Sequence, residues 1–199
     1  MAEPTTGLRE TAAQTAGPYV HIGCLPAAAG LGDVYDRPLG AAPMSEGAAG
    51  TRIVVTGSIY DGTGWALRDA MLESWQADAA GLYPGQPGAD PAVGGFCRFA
   101  ADAETGLFRL ATIKPGRVPM RGGGTQAPHI ALWIVARGIN IGLATRIYFD
   151  DEDNADDPLL ARIEQRPRAE TLIAQRTGEG TYAFDVRLQG PGETVFLDL

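Results

Sequence analysis

The chain has 199 residues, with 16 Lys+Arg against 24 Asp+Glu, a formal net charge of −8 and an isoelectric point near 4.7. That balance excludes nucleic-acid binding as its main activity, because a phosphate backbone would be repelled. The length supports one full-sized domain with a substantial core, and 27 glycines with 14 prolines imply many tight turns between short elements.

Residues 1–50 mix Thr, Ala, Gly and Pro with almost no hydrophobic periodicity, and only Gly17-Pro-Tyr-Val-His-Ile-Gly23 carries bulk. This segment is predicted to be an extended N-terminal arm whose apolar patch around Pro18, Tyr19 and Ile22 docks on another surface, with His21 an interface or surface histidine. Met1 to Glu10 shows no basic and apolar leader pattern, and the longest apolar run, Ala131–Ala136, is too short to span a bilayer. The two cysteines, Cys24 and Cys97, fit inert thiols in a reducing compartment, so a soluble cytoplasmic protein is expected. Lys114 is the sole lysine beside fifteen arginines.

From residue 51 the pattern changes to a mainly β domain. Strands are predicted at Arg52–Tyr60, Met71–Gln76, Leu107–Ile113, His129–Ala136, Leu143–Phe149, Thr181–Leu188 and Thr194–Asp198. In the sixth, Tyr182, Phe184, Val186 and Leu188 alternate with Asp185, Arg187 and Gln189, the period of a half-buried antiparallel strand. The turns Asp61-Gly-Thr-Gly64 and Asp102-Ala-Glu-Thr-Gly106 are read as hairpin connections. A short helix is predicted after Asp156-Asp157-Pro158, through Leu159, Leu160 and Ile163, and a second over Ala169–Arg176, separated by Pro167. Seven strands and little helix predict a β-sandwich.

Chemistry-bearing residues are sparse. Two histidines exclude an all-imidazole metal site, and neither a Ser-His-acid arrangement nor a glycine-rich phosphate loop is present. The acidic run Asp150–Asp157 lacks the glycine and glutamate of a calcium loop and reads as a solvated loop and helix cap. His129, Tyr83 and Arg137 read on composition as a hydrogen-bonded core histidine, a packed tyrosine and a surface ion pair. Trp75 and Trp133 lie in apolar runs and read as core filling, whereas Trp65 follows a turn and reads as exposed.

Five motifs together resemble the intradiol ring-cleavage dioxygenases: Gln14-Thr-Ala-Gly-Pro-Tyr-Val-His21, Glu73-Ser-Trp-Gln-Ala-Asp78, Thr112-Ile-Lys-Pro-Gly116, Ala127-Pro-His-Ile130 and Arg146-Ile-Tyr-Phe-Asp150. Ala136-Arg-Gly-Ile-Asn140, Glu170-Thr-Leu-Ile-Ala174 and Gly190-Pro-Gly-Glu-Thr-Val195 are similar to the alpha-type subunit of its two-subunit members, so the resemblance runs from about Thr11 to the C-terminus. The resemblance implies a β-sandwich and a ferric ion held by two tyrosinates and two histidines, hard and borderline donors suited to Fe(III). The implied reaction opens a catechol ring with O₂ between its two hydroxyl-bearing carbons. Carried over position by position, the ligand set falls on Tyr83 and His129, which are kept, and on Val118 and Ala131, which carry no donor.

The resemblance therefore implies a heteromer in which a homologous beta-type subunit holds the Fe(III) and this chain, with no metal or catalytic residue of its own, completes the pocket. Thr15 and Pro18 match the arm that reaches the neighbouring subunit's substrate site, with Tyr19 beside them, and Arg137 matches an arginine near that pocket, able to meet the carboxylate of protocatechuate (3,4-dihydroxybenzoate). A higher assembly of such pairs is expected. The alternative reading is a stand-alone, non-catalytic β-sandwich module that binds a small aromatic ligand in the emptied cavity.

Overall fold

The computed structural model describes residues 14–32, 34–36, 38–120, 122–140 and 142–198. Alternating β-branched and apolar residues build strands β1 (Arg52–Tyr60), β2 (Met71–Gln76), β3 (Phe96–Ala100) and β4 (Leu107–Ile113). Two-residue strands β5 (Val118–Pro119) and β6 (Thr125–Gln126) pair with each other and precede β7 (Ile130–Val135) and β8 (Leu143–Phe149). The chain closes with β9 (Ile173–Gly178), β10 (Thr181–Ala183) and β11 (Val186–Arg187). One layer holds β4, β1, β10, β11 and β9; the other holds β8, β7, β2 and β3. A short parallel pairing of β8 with β9, Tyr148 opposite Ile173, joins them into a nearly closed sheet.

The β-sandwich expectation is met, and the core lies between the layers. Ile53, Val55 and Ile59 of β1 and Phe108 and Leu110 of β4 meet Leu72 of β2, Ile130, Leu132 and Ile134 of β7, and Ile147 and Phe149 of β8. β1, β2, β4 and β8 have the predicted bounds.

Other expectations are corrected. The predicted strand 181–188 is broken at Phe184–Asp185, because the Asp185 carboxyl accepts from the Ser58 N–H at 3.0 Å where a ladder carbonyl would stand. An ideal Cβ on Gly57 would lie 1.8 Å from the Phe184 carbonyl oxygen, so only glycine admits this close approach. The segment runs antiparallel to β9 but parallel to β1. Tyr182, Phe184 and Val186 are nonetheless buried between exposed neighbours, as the alternation predicts.

The predicted helix 169–176 is a 3₁₀ segment over Arg166–Leu172 that runs into β9, where pairing with β8 and β10 overrides helix propensity. The first predicted helix is a single 3₁₀ turn, Leu160–Arg162, and residues 194–198 make only an isolated bridge, Leu197 to Ala144. The Asp102–Gly106 turn is not a hairpin: it connects β3, paired with β2, to β4, paired with β1, and so crosses between layers. The predicted extended arm carries a one-turn helix α1 (Val20–Cys24) and a 3₁₀ turn, Pro26–Ala29, while residues 1–13 lie outside the described residues.

The acidic run is more structured than a solvated loop. Asp151 and Glu152 hold the Lys114 ammonium at 2.6 and 2.8 Å, and Lys114 also lies over the rings of Phe149 and Tyr182. Burial opposes the charge on Lys114, but hydrogen bonds to Asp151, Glu152 and Tyr182 outweigh it and hold its pKa above the ordinary lysine value. The sole lysine thus ties the end of β4 to the loop after β8.

Trp75 and Trp133 are not core residues, since each is 41% exposed. Period-2 geometry places them on the outer face of the second layer, opposite the side that Leu72, Leu132 and Ile134 bury. Trp65 is exposed, as expected.

Candidate functional site

The outer face of β2, β7 and β8 forms rows set by strand register. Trp75, Ala131 and Arg146 stand side by side across the three strands, and Trp133 lies between Glu73 and Ala144 in the next row. On the other side of Ala131, one residue before β7 begins, comes His129. Tyr83 enters from the loop after β2 and stacks on Trp75, with ring centroids 5.8 Å apart and planes within 5°.

Two carboxyl groups fix the loops that carry these side chains. Asp78, buried, accepts from the N–H groups of Ala80 and Leu82 at 2.9 Å and of Asp90 at 2.8 Å, shaping the turn that presents Tyr83. Gly81, at φ +81°, lets this turn pass the Arg117 carbonyl, to which a Cβ would approach within 1.9 Å, so the Tyr83 loop lies against the segment leading to Val118. Asp157, fully buried, accepts from Leu159 N–H at 2.8 Å and Leu160 N–H at 3.0 Å, two residues before the 3₁₀ turn's own N-cap position at Leu159. It also accepts from the Ala127 N–H at 2.8 Å and the Tyr148 hydroxyl at 3.3 Å, pinning the start of β7.

His129 is 1% exposed, and its Nδ1 lies 2.8 Å from the Ala127 carbonyl oxygen. A carbonyl only accepts, so Nδ1 carries the hydrogen and Nε2 is left as an acceptor for the Tyr83 hydroxyl at 3.4 Å. Burial, reinforced by the Arg146 charge, pushes the His129 pKa down to about 4 against the opposing pull of the Ala127 carbonyl and Asp157. Burial raises the Tyr83 phenol, which Arg146 partly counters, and burial likewise holds the Tyr148 phenol high. Both tyrosines are therefore neutral phenols at pH 7.

A stability consequence follows with a definite sign. Between pH 6.5 and 4 the unfolded state protonates its histidine and the native state does not, so His129 stabilises the fold above pH 6.5 and loses that contribution as pH falls toward 4. Changing His129→Asn should shrink the stability difference between pH 7 and pH 4.5 by about 2 kcal/mol in chemical unfolding. An unchanged difference would mean that the imidazole titrates normally.

The expected ligand positions Tyr83, His129 and Ala131 lie about the start of β7, with Val118 on the short β5–β6 pair, and their side chains do not make a ferric site. Val118 is buried and paired with Gln126, and Ala131 sits between Trp75 and Arg146; neither side chain has a donor atom. The two donors that remain, on Tyr83 and His129, are spent on each other. Among the described residues no three His, Cys, Asp or Glu side chains converge. The residues present do not fit a ferric ion.

The second predicted group is partly assembled. The Thr15 hydroxyl donates to the Ala136 carbonyl at 3.2 Å, which brings the arm beside Arg137. Arg137 pairs through Nε with Asp69 at 3.1 Å, the ion pair expected on composition, while its side chain stays 59% exposed. Pro18 is exposed, as is Tyr19 at 75%, and Leu31, Val34, Tyr35 and Leu39 further along the segment are also more than half exposed. A groove of about 760 Å³ lined by Trp75, Ala131, Trp133, Ile139 and Leu143 runs along the same outer face.

Composition reasoning missed Arg146, Gln126, Tyr148 and Asp157 as parts of the site. The motif containing Arg146 and Tyr148 signals family, but only the β7–β8 register reveals that Arg146 stands opposite Ala131. Cys97 is buried with its thiol pushed up to about 11, and Cys24 is exposed; both are free.

A family model described as Dioxygenase matches residues 35–190. The chain is 47% identical over 200 residues to the protocatechuate 3,4-dioxygenase alpha chain of Pseudomonas putida, covering 98% of this chain and 99% of that one. It is also 34% identical over 160 residues to the protocatechuate 3,4-dioxygenase beta chain of Burkholderia cepacia, covering 73% and 67% respectively. Among solved structures, an intradiol ring-cleavage dioxygenase from Tetranychus urticae superposes with a TM-score of 0.60 at 19% identity, over 77% of this chain and 88% of that one, a likeness of fold. Among the described residues no helix is long and apolar enough to cross a membrane.

Proposed function

The chain belongs to the intradiol ring-cleavage dioxygenase family, and on that premise we propose that it is the alpha-type subunit of a protocatechuate 3,4-dioxygenase, with the ferric ion held by a homologous beta-type partner. The complex breaks the bond between the two hydroxyl-bearing carbons of 3,4-dihydroxybenzoate and leaves one atom of O₂ on each, giving 3-carboxy-cis,cis-muconate. The observation that carries this reading is the hydrogen-bonded Tyr83–His129 pair beside donorless Val118 and Ala131, in a chain that otherwise keeps the family's motifs.

In this reading residues 1–50 dock on the partner, which covers the exposed apolar side chains of that segment. The corner formed by Thr15, Pro18, Tyr19 and Arg137 borders the partner's substrate pocket. Arg137 meets the substrate carboxylate there, and Asp69 holds its Nε and sets the direction of the guanidinium plane. The pairs assemble further into a larger hetero-oligomer.

Oxygen uptake by the complex tests the role of Arg137. Arg137→Ala should lower kcat/KM for protocatechuate about 10- to 100-fold, mostly through KM, as expected for one lost charge-assisted contact. Turnover of a catechol without the carboxylate should be unchanged. Equal losses on both substrates would assign Arg137 a purely structural role.

A further inference from the structure

Asp69 and Arg137 meet because two strands set them opposite each other. The antiparallel register of β2 and β7 pairs Glu73 with Trp133 and Met71 with Val135, and continued by two residues beyond the ladder it brings Asp69 opposite Arg137. Their contact, Oδ2 to Nε at 3.1 Å, is unequal in exposure: the Asp69 side chain is 11% exposed and that of Arg137 59%. Among the described residues Arg137 is the only cation that pairs with Asp69, whose other oxygen, Oδ1, is buried with no hydrogen-bond partner. A surface arginine left to itself samples many rotamers, but this one cannot swing away without leaving a buried carboxylate unpaired, which is costly. Contact through Nε leaves the Nη1–Nη2 edge, with four N–H groups, on the exposed part of the side chain, the edge that takes a carboxylate in two parallel hydrogen bonds.

We propose that Asp69 is a specificity-determining positioning residue: by fixing Arg137 it sets the reach of the guanidinium, so that the corner selects a carboxylate borne directly on the catechol ring over one carried a methylene further out. The inference rests on the reading of Arg137 given above and adds what makes that arginine selective. A freely moving guanidinium would follow a carboxylate to either distance and discriminate little. A fixed one fits one distance and loses a hydrogen bond at the other. The Thr15 hydroxyl on the Ala136 carbonyl at 3.2 Å adds to this by holding the arm against the residue before Arg137.

Oxygen uptake by the complex tests it with 3,4-dihydroxybenzoate, 3,4-dihydroxyphenylacetate and catechol. Asp69→Ala should narrow the kcat/KM preference for the first over the second about tenfold, mostly through a higher KM for 3,4-dihydroxybenzoate, with kcat within about twofold and catechol unchanged. In an Arg137→Ala background the same change should not move the ratio further, because Asp69 acts only through Arg137. Asp69→Asn keeps the shape and offers a neutral acceptor, so it should move the ratio in the same direction by about threefold, and it decides the matter if the alanine variant does not fold. An unmoved ratio, equal losses on all three substrates, or a further shift in the Arg137→Ala background overturns the proposal and leaves the role of Arg137 standing. If Arg137→Ala itself brings no selective loss on 3,4-dihydroxybenzoate, the reading of Arg137 fails and the proposal with it.

Discussion

Replacing Asp157 with alanine should destabilise the protein by about 4 kcal/mol, near 1 kcal/mol for each of the four donors it satisfies while fully buried. For a chain of this length that is a fall of about 10 °C in Tm. The loss is not that of a surface helix cap alone, because two of the donors belong to Ala127 and Tyr148, on either side of His129. Freed of Asp157, the Ala127 carbonyl no longer fixes the imidazole tautomer, and the Tyr83–His129 hydrogen bond should weaken with it. Asp157→Asn keeps the shape and one acceptor but turns a second donor toward the Ala127 N–H or the paired Leu159 and Leu160 N–H groups, so it should cost about half as much. Calorimetry of both variants checks this; a fall of less than about 2 °C for the alanine variant would mean that water or a neighbour takes over the four donors.

The strands that a periodic sequence specifies were legible: β1, β2, β4 and β8 carry enough β-branched and aromatic residues at alternate positions that bounds and buried faces follow. β9 was not, because Ala169–Arg176 reads as helical locally and becomes a strand only when β8 and β10 offer their edges. β3 lies in a glycine- and proline-rich stretch whose strand character comes from pairing with β2. The two tryptophans misled for a related reason. Strand alternation states which residues share a face, and the core lies on the other one.

The site was legible as identities and not as contacts. Motif matching located Tyr83, Val118, His129 and Ala131, whereas Asp156-Asp157 signals only the start of a helix. The grip of Asp157 on Ala127 spans thirty residues of chain, and the opposition of Arg146 to Ala131 depends on a register that no local pattern encodes. The same holds for the Thr15 to Ala136 hydrogen bond, which joins the ends of a 121-residue separation and places the arm beside Arg137.

The largest functional effect expected is the difference between the chain alone and the chain with its partner. On the proposed subunit reading the lone chain, whose kept donors on Tyr83 and His129 are hydrogen-bonded to each other, should neither hold iron nor make a catechol ring reactive toward O₂. With a homologue that carries all four ligands, the proposed Arg137 corner should complete a working pocket. The most direct measurement is iron content together with protocatechuate-dependent oxygen uptake, made on this chain purified alone and on the chain co-expressed with such a homologue. A colourless, inactive lone chain and a coloured, ferric, active complex are the predicted result. Stoichiometric iron and turnover in the lone chain would contradict the account, and so would a homologue whose activity is indifferent to the presence of this chain.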